Sequence, residues 1–545
     1  HDVIMARVDS LPEGAKEVLQ NGSLIEREFG YELIKQVTGL TEPELLTHLS
    51  ALKDAELLYE RGIYPKSTYI FKHALTQEVV QGSIITRRKK KLHEIIGNAI
   101  EALYTDNIAE YYEVLAEHFI ESELFEKAAE HSKLAGKKAQ KAASFKDAIE
   151  YARKTIFCLE KLPRSDRTQR KIIDARTRLA GYYLSLDHYV EAKEAVAPIA
   201  DLALELNYQK RLPIIYTVMG TYSQWVEEDY SKAFRYLEQA LKISKEMDDD
   251  TSLWFASFFL GIARSLNCEF EKGLAYFHKS LDLGLKANNP IMIVFAKGLM
   301  STFNYIFYGK ADLACQLSLE SLQMAKESED IYLKGMAYSS CGMACYCKGL
   351  FEEAENSLSR ALPLCKKTTL LGWETWGTGF LGHTYVAMGN YKKALDTYSR
   401  GISILEPVQL FPFWINLWKI AIARLNVLSN KTDINLSKVF ECYENIKVKI
   451  AQGWAARYVA EILLNLDNHH LSEAEDWAQK ALETDKSNGT MWSLGCDYTF
   501  YAELHKYKGH PEKARENLNR AIEIFSQCGA EGWQNKAEKE MAALA

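Results

Sequence analysis

Chemistry on a nucleoside triphosphate needs a Gly-x-x-x-x-Gly-Lys-Ser/Thr loop whose backbone cradles the phosphates, and this 545-residue sequence contains none. Nor are paired aspartates set in a strand context suited to cyclising a nucleotide, or a Ser, His, Asp or Cys, His set in a supporting fold. The chain is therefore expected to catalyse nothing by itself and to hold no cofactor. Cys341, Cys345, Cys347 and Cys365 come nearest to a metal cluster. Their spacing puts them at helix packing positions, where cysteine is commonly buried, so no metal is expected either. The other cysteines stand singly, without disulfide or zinc spacing, which fits a reducing cytoplasm.

What remains for function is apolar surface. Phe255, Phe258 and Ile262 recur in type at Leu299, Phe303 and Ile306, then at Met336, Met343 and Tyr346, then at Trp376 and His383. If these line one concave face, they form a patch large enough to bind a ligand or partner. If the helix phase is shifted by one position, they are ordinary interhelix core; both readings stand. Eight of the ten tryptophans follow residue 370, among them Trp373, Trp376, Trp414, Trp418, Trp454, Trp492 and Trp533. Packing against the previous repeat accounts for most of them, and anchoring of a partner is the alternative for the first four.

The elements that would carry these residues follow from an internal repeat. A small residue recurs at Ala192, Ala233, Gly273, Ala314, Ala354, Ala394, Ala474 and Ala514, a period near 40 with one unit drifted around Thr432–Leu436. Three residues earlier stand Tyr189, Tyr230, Phe270, Phe351 and Tyr391; four later come Val196, Leu237, Phe277, Leu358, Tyr398 and Leu518. Offsets of three and four lie on one helical face. Gly261, Gly342 and Gly382 precede the small position by twelve, and Gly349 and Gly389 follow them as helix ends. The pattern is helix, turn, helix, with glycine permitting close approach and termination. Such hairpins cannot bury their apolar faces alone and must stack into a superhelix.

This order of small and aromatic residues resembles tetratricopeptide repeats, in the variant of period near 40 found in the maltose-regulon activator and its relatives. The resemblance covers about residues 166 to 545. The expected fold class is all-α, a tetratricopeptide-like superhelix preceded by a small winged-helix domain. The expected division is residues 1–85 for the winged helix, 86–165 for connecting helices and degenerate hairpins, and 166–545 for the repeats.

The winged helix is expected from helices followed by a hairpin. Ser10-Leu11-Pro12-Glu13 and Thr41-Glu42-Pro43-Glu44 have capping-box spacing. Leu45, Leu49 and Leu52 make a helical stripe, and the runs 57–61 and 68–72 flank a turn with Gly62, Pro65 and Ser67. The basic run Arg87-Arg88-Lys89-Lys90-Lys91 opens a helix with the apolar face Leu92, Ile95, Ile96, Ala99, Ile100 and Leu103. It reads as a solvated turn, with an anionic partner surface as the alternative. A net charge of -7 and a pI near 6.1 give no general attraction to nucleic acid. No apolar run approaches the roughly 20 residues needed to span a membrane.

Asp2-Val3-Ile4-Met5-Ala6-Arg7-Val8-Asp9-Ser10-Leu11-Pro12, then Leu24–Phe29, then Tyr69-Ile70-Phe71-Lys72-His73-Ala74-Leu75-Thr76-Gln77-Glu78, and Arg87-Arg88 with Leu92-His93 resemble one family. They are similar to the winged-helix arm of STAND ATPases, the signal-transduction NTPases with numerous domains, in the branch fused to class III adenylate or guanylate cyclases. Glu26 departs from the glycine usual there. The resemblance implies a regulatory arm that binds a protein, peptide or small ligand and relays it to a nucleotide-binding domain before His1, where ATP or ADP would sit. It also implies that His73 reaches the nucleotide diphosphate, although Phe71 and Ala74 replace the flanking residues of the family's Met-His-Asp motif. The other readings are a structural histidine at a strand end, and, for the whole chain, a freestanding scaffold or an arm of a transcription regulator.

Overall fold

Residues 2–142, 144–328, 330–431, 433–466 and 468–544 are described by a computed structural model, and they divide into two compact units, His1–Tyr182 and Tyr183–Ala545. The division falls inside the helix Asp166–Leu184.

In the first unit, α1 (Asp2–Asp9), α2 (Glu13–Ile25), β1 (Glu28–Gly30), α3 (Tyr31–Thr38) and α4 (Glu42–Asp54) precede β2 (Leu58–Arg61), β3 (Thr68–Phe71) and α5 (Ala74–Gly82). The sheet is antiparallel in the order β1-β3-β2, with Phe29 opposite Tyr69 and Leu58 opposite Phe71. The sequence reading anticipated the β2–β3 hairpin but missed β1, a three-residue strand too short to leave a periodic pattern. Leu45, Leu49 and Leu52 are fully buried, and Phe29 stacks on Tyr69 at 6.1 Å between ring centroids. The capping box at Thr41 is present, with the Thr41 amide donating to Glu44 at 2.9 Å. The one expected at Ser10 is not. The Ser10 hydroxyl donates back to the Arg7 carbonyl at 2.7 Å and closes α1, leaving Pro12 to precede α2.

The unit continues as helical hairpins: α6 (Thr86–Leu103), α7 (Tyr112–Glu121), α8 (Phe125–Lys141), α9 (Phe145–Glu160) and α10 (Asp166–Leu184). The basic run opens α6, where Arg88 pairs with Glu17 at 2.8 Å, Lys90 with Glu123 at 2.6 Å and Lys91 with Glu94 at 2.9 Å. Three of its five cations are thus already engaged by carboxylates of the same unit.

The second unit is a superhelix of helix pairs. All the small positions from Ala192 to Ala514 lie on second helices and are buried. A Cβ placed on Gly220, Gly261, Gly342 or Gly382 would come within 2.4–2.7 Å of Leu237, Phe277, Leu358 or Tyr398. Glycine is required there because the bulky residue four beyond each small position fills the space of its side chain. In the drifted repeat the second helix is cut to Leu436–Glu444; Thr432 lies outside the described residues.

The turn between the two helices of a pair is left-handed at Asp187, Glu228, Cys268, Gly309, Gly349, Gly389 and Asn430, all with φ between 53° and 86°. A residue with a Cβ is strained there by about 1–2 kcal/mol, so Asp187 and Glu228 occupy positions that favour glycine. One stretch, Pro290–Tyr308, is long and apolar enough to cross a membrane, against the sequence expectation, with 67% of its most apolar window buried in the protein. It forms the first helix of a repeat and includes a π-helical segment, Met300–Tyr305, in which Phe303 sits.

Candidate functional site

The residues nominated for a groove lie on first helices and face the axis of the second unit, but they do not line an open channel. Phe258, Ile262, Leu299, Phe303, Met343, Tyr346, Trp376 and His383 are buried, none more than 7% exposed, and Phe255 is half-buried. The expectation that they form an exposed patch is corrected: the superhelix is wound tightly enough for facing repeats to fill its centre. Phe303 meets Trp376 at 4.5 Å between centroids, Trp376 meets Trp414 at 4.9 Å, and the series continues through Trp454, Trp492 and Trp533. Trp225 joins it from an earlier turn through Phe303 and Phe411. Tryptophans at nearly equal spacing in sequence thus stack up a spiral core.

A charged cluster is enclosed in the same interior. Arg457 Nε donates to Asp497 Oδ1 at 2.8 Å, Arg457 Nη1 is 3.6 Å from Glu461, and Arg424 donates to Glu461. Thr490 donates to Asp485 Oδ1 at 2.7 Å. Burial raises Asp485, and burial with the neighbouring Asp485 raises Asp497 well above the carboxylate range. Burial thus favours the protonated form at this pair and reduces the negative charge that faces Arg457. His383 shares the interior: its Nδ1 is 2.6 Å from the Tyr398 hydroxyl, and burial, then the charges of Arg424 and Arg457, lower it to about 3. It is a neutral core histidine at physiological pH. These groups are bonded chiefly to one another in the interior of the second unit.

Where successive turns of the superhelix abut, polar bonds join them beside the aromatic series. Gly372 N–H donates to Asp187 Oδ2 at 2.8 Å, and Phe413 N–H donates to Glu228 Oε1 at 2.7 Å; both pairs are separated by 185 residues, between four and five repeats. In each, a carboxylate in a left-handed interhelix turn caps the N-terminus of a first helix one superhelical turn later, where amides lack intrahelical partners and the helix dipole favours negative charge. Trp533 Nε1–H donates to the Tyr346 carbonyl at 2.9 Å, and Lys536 to that of Ala387 at 2.6 Å. Gly349 and Gly532 touch backbone to backbone, leaving no room for a side chain on either. A cleft of about 300 Å³ opens on this seam between Asp187, His188 and Glu191 on one turn and Leu371, Val408 and Gln409 on the next.

Sequence reading missed Asp187 and Glu228. The available signal was chain position, since they occupy the turn slots that Gly309, Gly349 and Gly389 fill in later repeats. Burial raises Asp187 and pushes Glu228 up to about 7, against the opposing effect of the Phe413 amide. A folded-state value above the unfolded one means that the folded protein binds the extra proton, so stability falls as pH rises between about 4.5 and 7. Glu228 thus contributes about 3 kcal/mol of pH dependence over that window. Glu503, also pushed up to about 7, titrates alongside it. Urea unfolding at pH 5 and pH 8 is expected to lose this component in Glu228→Gln, whose amide oxygen still accepts from Phe413. An unchanged pH difference in that variant would show Glu228 to be free of the burial inferred for it.

In the first unit His73 is exposed, directly after β3 and at the N-cap of α5, where its carbonyl accepts from Thr76 N–H at 3.0 Å. Each unit therefore holds one of the two sets named from sequence: His73 at the surface of the first, and the apolar set inside the second.

The tetratricopeptide repeat family matches residues 379–404, the span in which Gly382 receives Tyr398. No curated protein matches the sequence. Among solved structures the chain is similar to a Rap protein complexed with competence and sporulation factor, at 17% identity and a TM-score of 0.47, over 74% of this chain and 99% of that one. It is also similar to a signal transduction ATPase with numerous domains carrying a tetratricopeptide repeat sensor, from Pyrococcus horikoshii, at 15% identity and a TM-score of 0.33, over 98% of this chain and 66% of that one. Aspartyl phosphate phosphatase F from Bacillus subtilis follows at 13% identity and a TM-score of 0.36, over 71% and 91%. The second unit is a helical-repeat array of the tetratricopeptide type, an architecture suited to protein interaction.

Proposed function

We propose that this chain is the sensor arm of a multidomain signalling ATPase: the repeats receive a protein or peptide partner, and the first unit, a winged helix followed by hairpins, passes the event to a nucleotide-binding domain. A nucleotide cyclase is the effector that the family resemblance suggests. The observation that carries this reading is the seam. An apolar lining from Phe258 to Trp376 is buried where successive turns meet, and the Asp187–Gly372 and Glu228–Phe413 bonds bridge those turns beside a cleft of about 300 Å³. A partner that prefers the lining exposed must part the turns, and its differential affinity for the parted state supplies the drive for the movement. The order of helices and strands in the first unit favours the winged-helix assignment, and the exposure of His73 leaves its imidazole free to donate to a phosphate oxygen.

The test uses the complete protein, with ADP as the probe. His73→Ala is expected to weaken ADP binding about 10- to 100-fold, the worth of one hydrogen bond to a charged group, and to raise basal effector output. Equal ADP affinity in a variant with the parent's circular dichroism and melting midpoint would remove His73 from the relay. A complete protein that binds no nucleotide would remove the sensor-arm reading with it.

A further inference from the structure

The cleft of about 300 Å³ on the seam is acidic on one side and apolar on the other. Asp187, which lines it, is fixed from both turns: Oδ1 accepts from the Tyr189 hydroxyl at 2.8 Å and Oδ2 from the Gly372 amide at 2.8 Å. The helix Tyr189–Val196 supplies Glu191, half-buried, and Glu194, exposed, with His188 Nδ1 3.4 Å from Glu191 Oε1. The other turn supplies Leu371 at the start of the helix Leu371–Ala387, and Pro407, Val408 and Leu410 from the turn before the next helix. Val408 is 40% exposed although it is apolar. No lysine or arginine stands among the described residues that line the cleft. Lys193 turns to the Tyr222 ring at 4.5 Å, and Lys419 is held by Glu406 at 2.8 Å. The positive end of the helix dipole at Leu371 already meets Asp187 through Gly372. Glu191 and Glu194 therefore border the cleft with no fixed cation along its walls.

We propose that this cleft docks a short peptide segment in which a lysine or arginine adjoins an apolar side chain, and that the segment clamps the two turns together. The ammonium or guanidinium donates to the carboxylates of Glu191 and Glu194, a charge-assisted contact. The apolar neighbour covers Leu371 and Val408 and removes them from water. A long basic side chain suits such a site, because its alkyl stem lies on apolar surface while its head reaches charge. Ligand pockets begin at about 300 Å³, so the occupant is a few residues of chain rather than the face of a folded domain. A free polyamine would match the charge and leave the apolar wall uncovered.

Both turns line the cleft, so a ligand that fills it touches Glu191 on one and Val408 on the other, and its site is complete only while they abut. Binding to that state alone stabilises it by mass action. The cleft is thus a restraining input, opposed to a partner that parts the turns. Docking needs neither that partner nor a nucleotide, so it stands if the sensor-arm reading fails.

The test is calorimetric titration of the 545-residue chain at low ionic strength, where such charges are least screened. The probes are acetyl-Leu-Arg-Val-Leu-amide, the same peptide with glutamate in place of arginine, and spermidine. The arginine peptide is expected to bind with a Kd of about 1 mM or tighter and to raise the melting midpoint, and the other two to do neither. Glu191→Gln combined with Glu194→Gln should weaken the arginine peptide about tenfold. Val408→Ser should weaken it independently of charge. These side chains are at least partly exposed, so the melting midpoint without peptide should stay at the parent value. The proposal is overturned if the arginine peptide does not bind, if the glutamate peptide or spermidine binds equally well, or if both variants bind as the parent does. A melting midpoint lowered by the arginine peptide overturns the clamp.

Discussion

Trp376→Ala is expected to lower the unfolding free energy of the second unit by about 3–5 kcal/mol, the cost of truncating a fully packed tryptophan. The side chain is 2% exposed and sits edge-on to Phe303 and Trp414, with Phe411 and Phe413 beyond them. Phe411 in turn reaches Trp225, so the cavity would open where successive superhelical turns share their core. Urea unfolding followed by circular dichroism reads the loss, and Trp376→Phe should recover part of it by refilling the space. A loss below about 1 kcal/mol would mean that the ring does not join the turns. The same burial governs how interaction assays are read. Phe258→Asp or Tyr346→Ala removes core, so a lost partner in either variant reports unfolding unless the melting midpoint is preserved.

Arg457→Ala is expected to cost about 3–5 kcal/mol as well, for a different reason: it strands the buried Asp497 carboxyl, while Glu461 keeps Arg424. Asp497 and Glu461 both face Arg457, and none of the three is more than 8% exposed. The defect should be smaller at pH 5 than at pH 8, because the stranded carboxyl escapes part of the penalty by taking up a proton. Pairing the change with Asp497→Leu should recover much of the loss, since removing both partners is far less costly than removing one. A defect independent of pH, with no recovery in the double variant, would mean that Arg457 contributes packing rather than charge.

Much of the repeat was legible before any coordinates. Ala233, Gly273, Ala354 and Ala394, with Gly261, Gly342 and Gly382 opposite Phe277, Leu358 and Tyr398, encode contacts between neighbouring helices at fixed short spacings. Each such contact is decided within a single hairpin, so the residue types alone carry it. The capping box at Thr41 and the β2–β3 hairpin were readable for the same reason. The box expected at Ser10 failed because the next helix begins at Glu13 with Pro12 at its N-cap, while the Ser10 hydroxyl donates to Arg7 at the end of α1.

The fate of the apolar set was not legible. Phe258, Phe303, Met343, Tyr346 and Trp376 have the residue types of either a groove or a core, and the choice rests on how far each repeat rotates against the next. That rotation accumulates over several repeats before Asp187 meets Gly372 and Glu228 meets Phe413, 185 residues away. No local pattern records a distance of that kind. Hairpin geometry is thus set by side chains three to twelve residues apart, while the filled core and the carboxylate-capped seam arise only when the pitch of the superhelix brings one turn against the next.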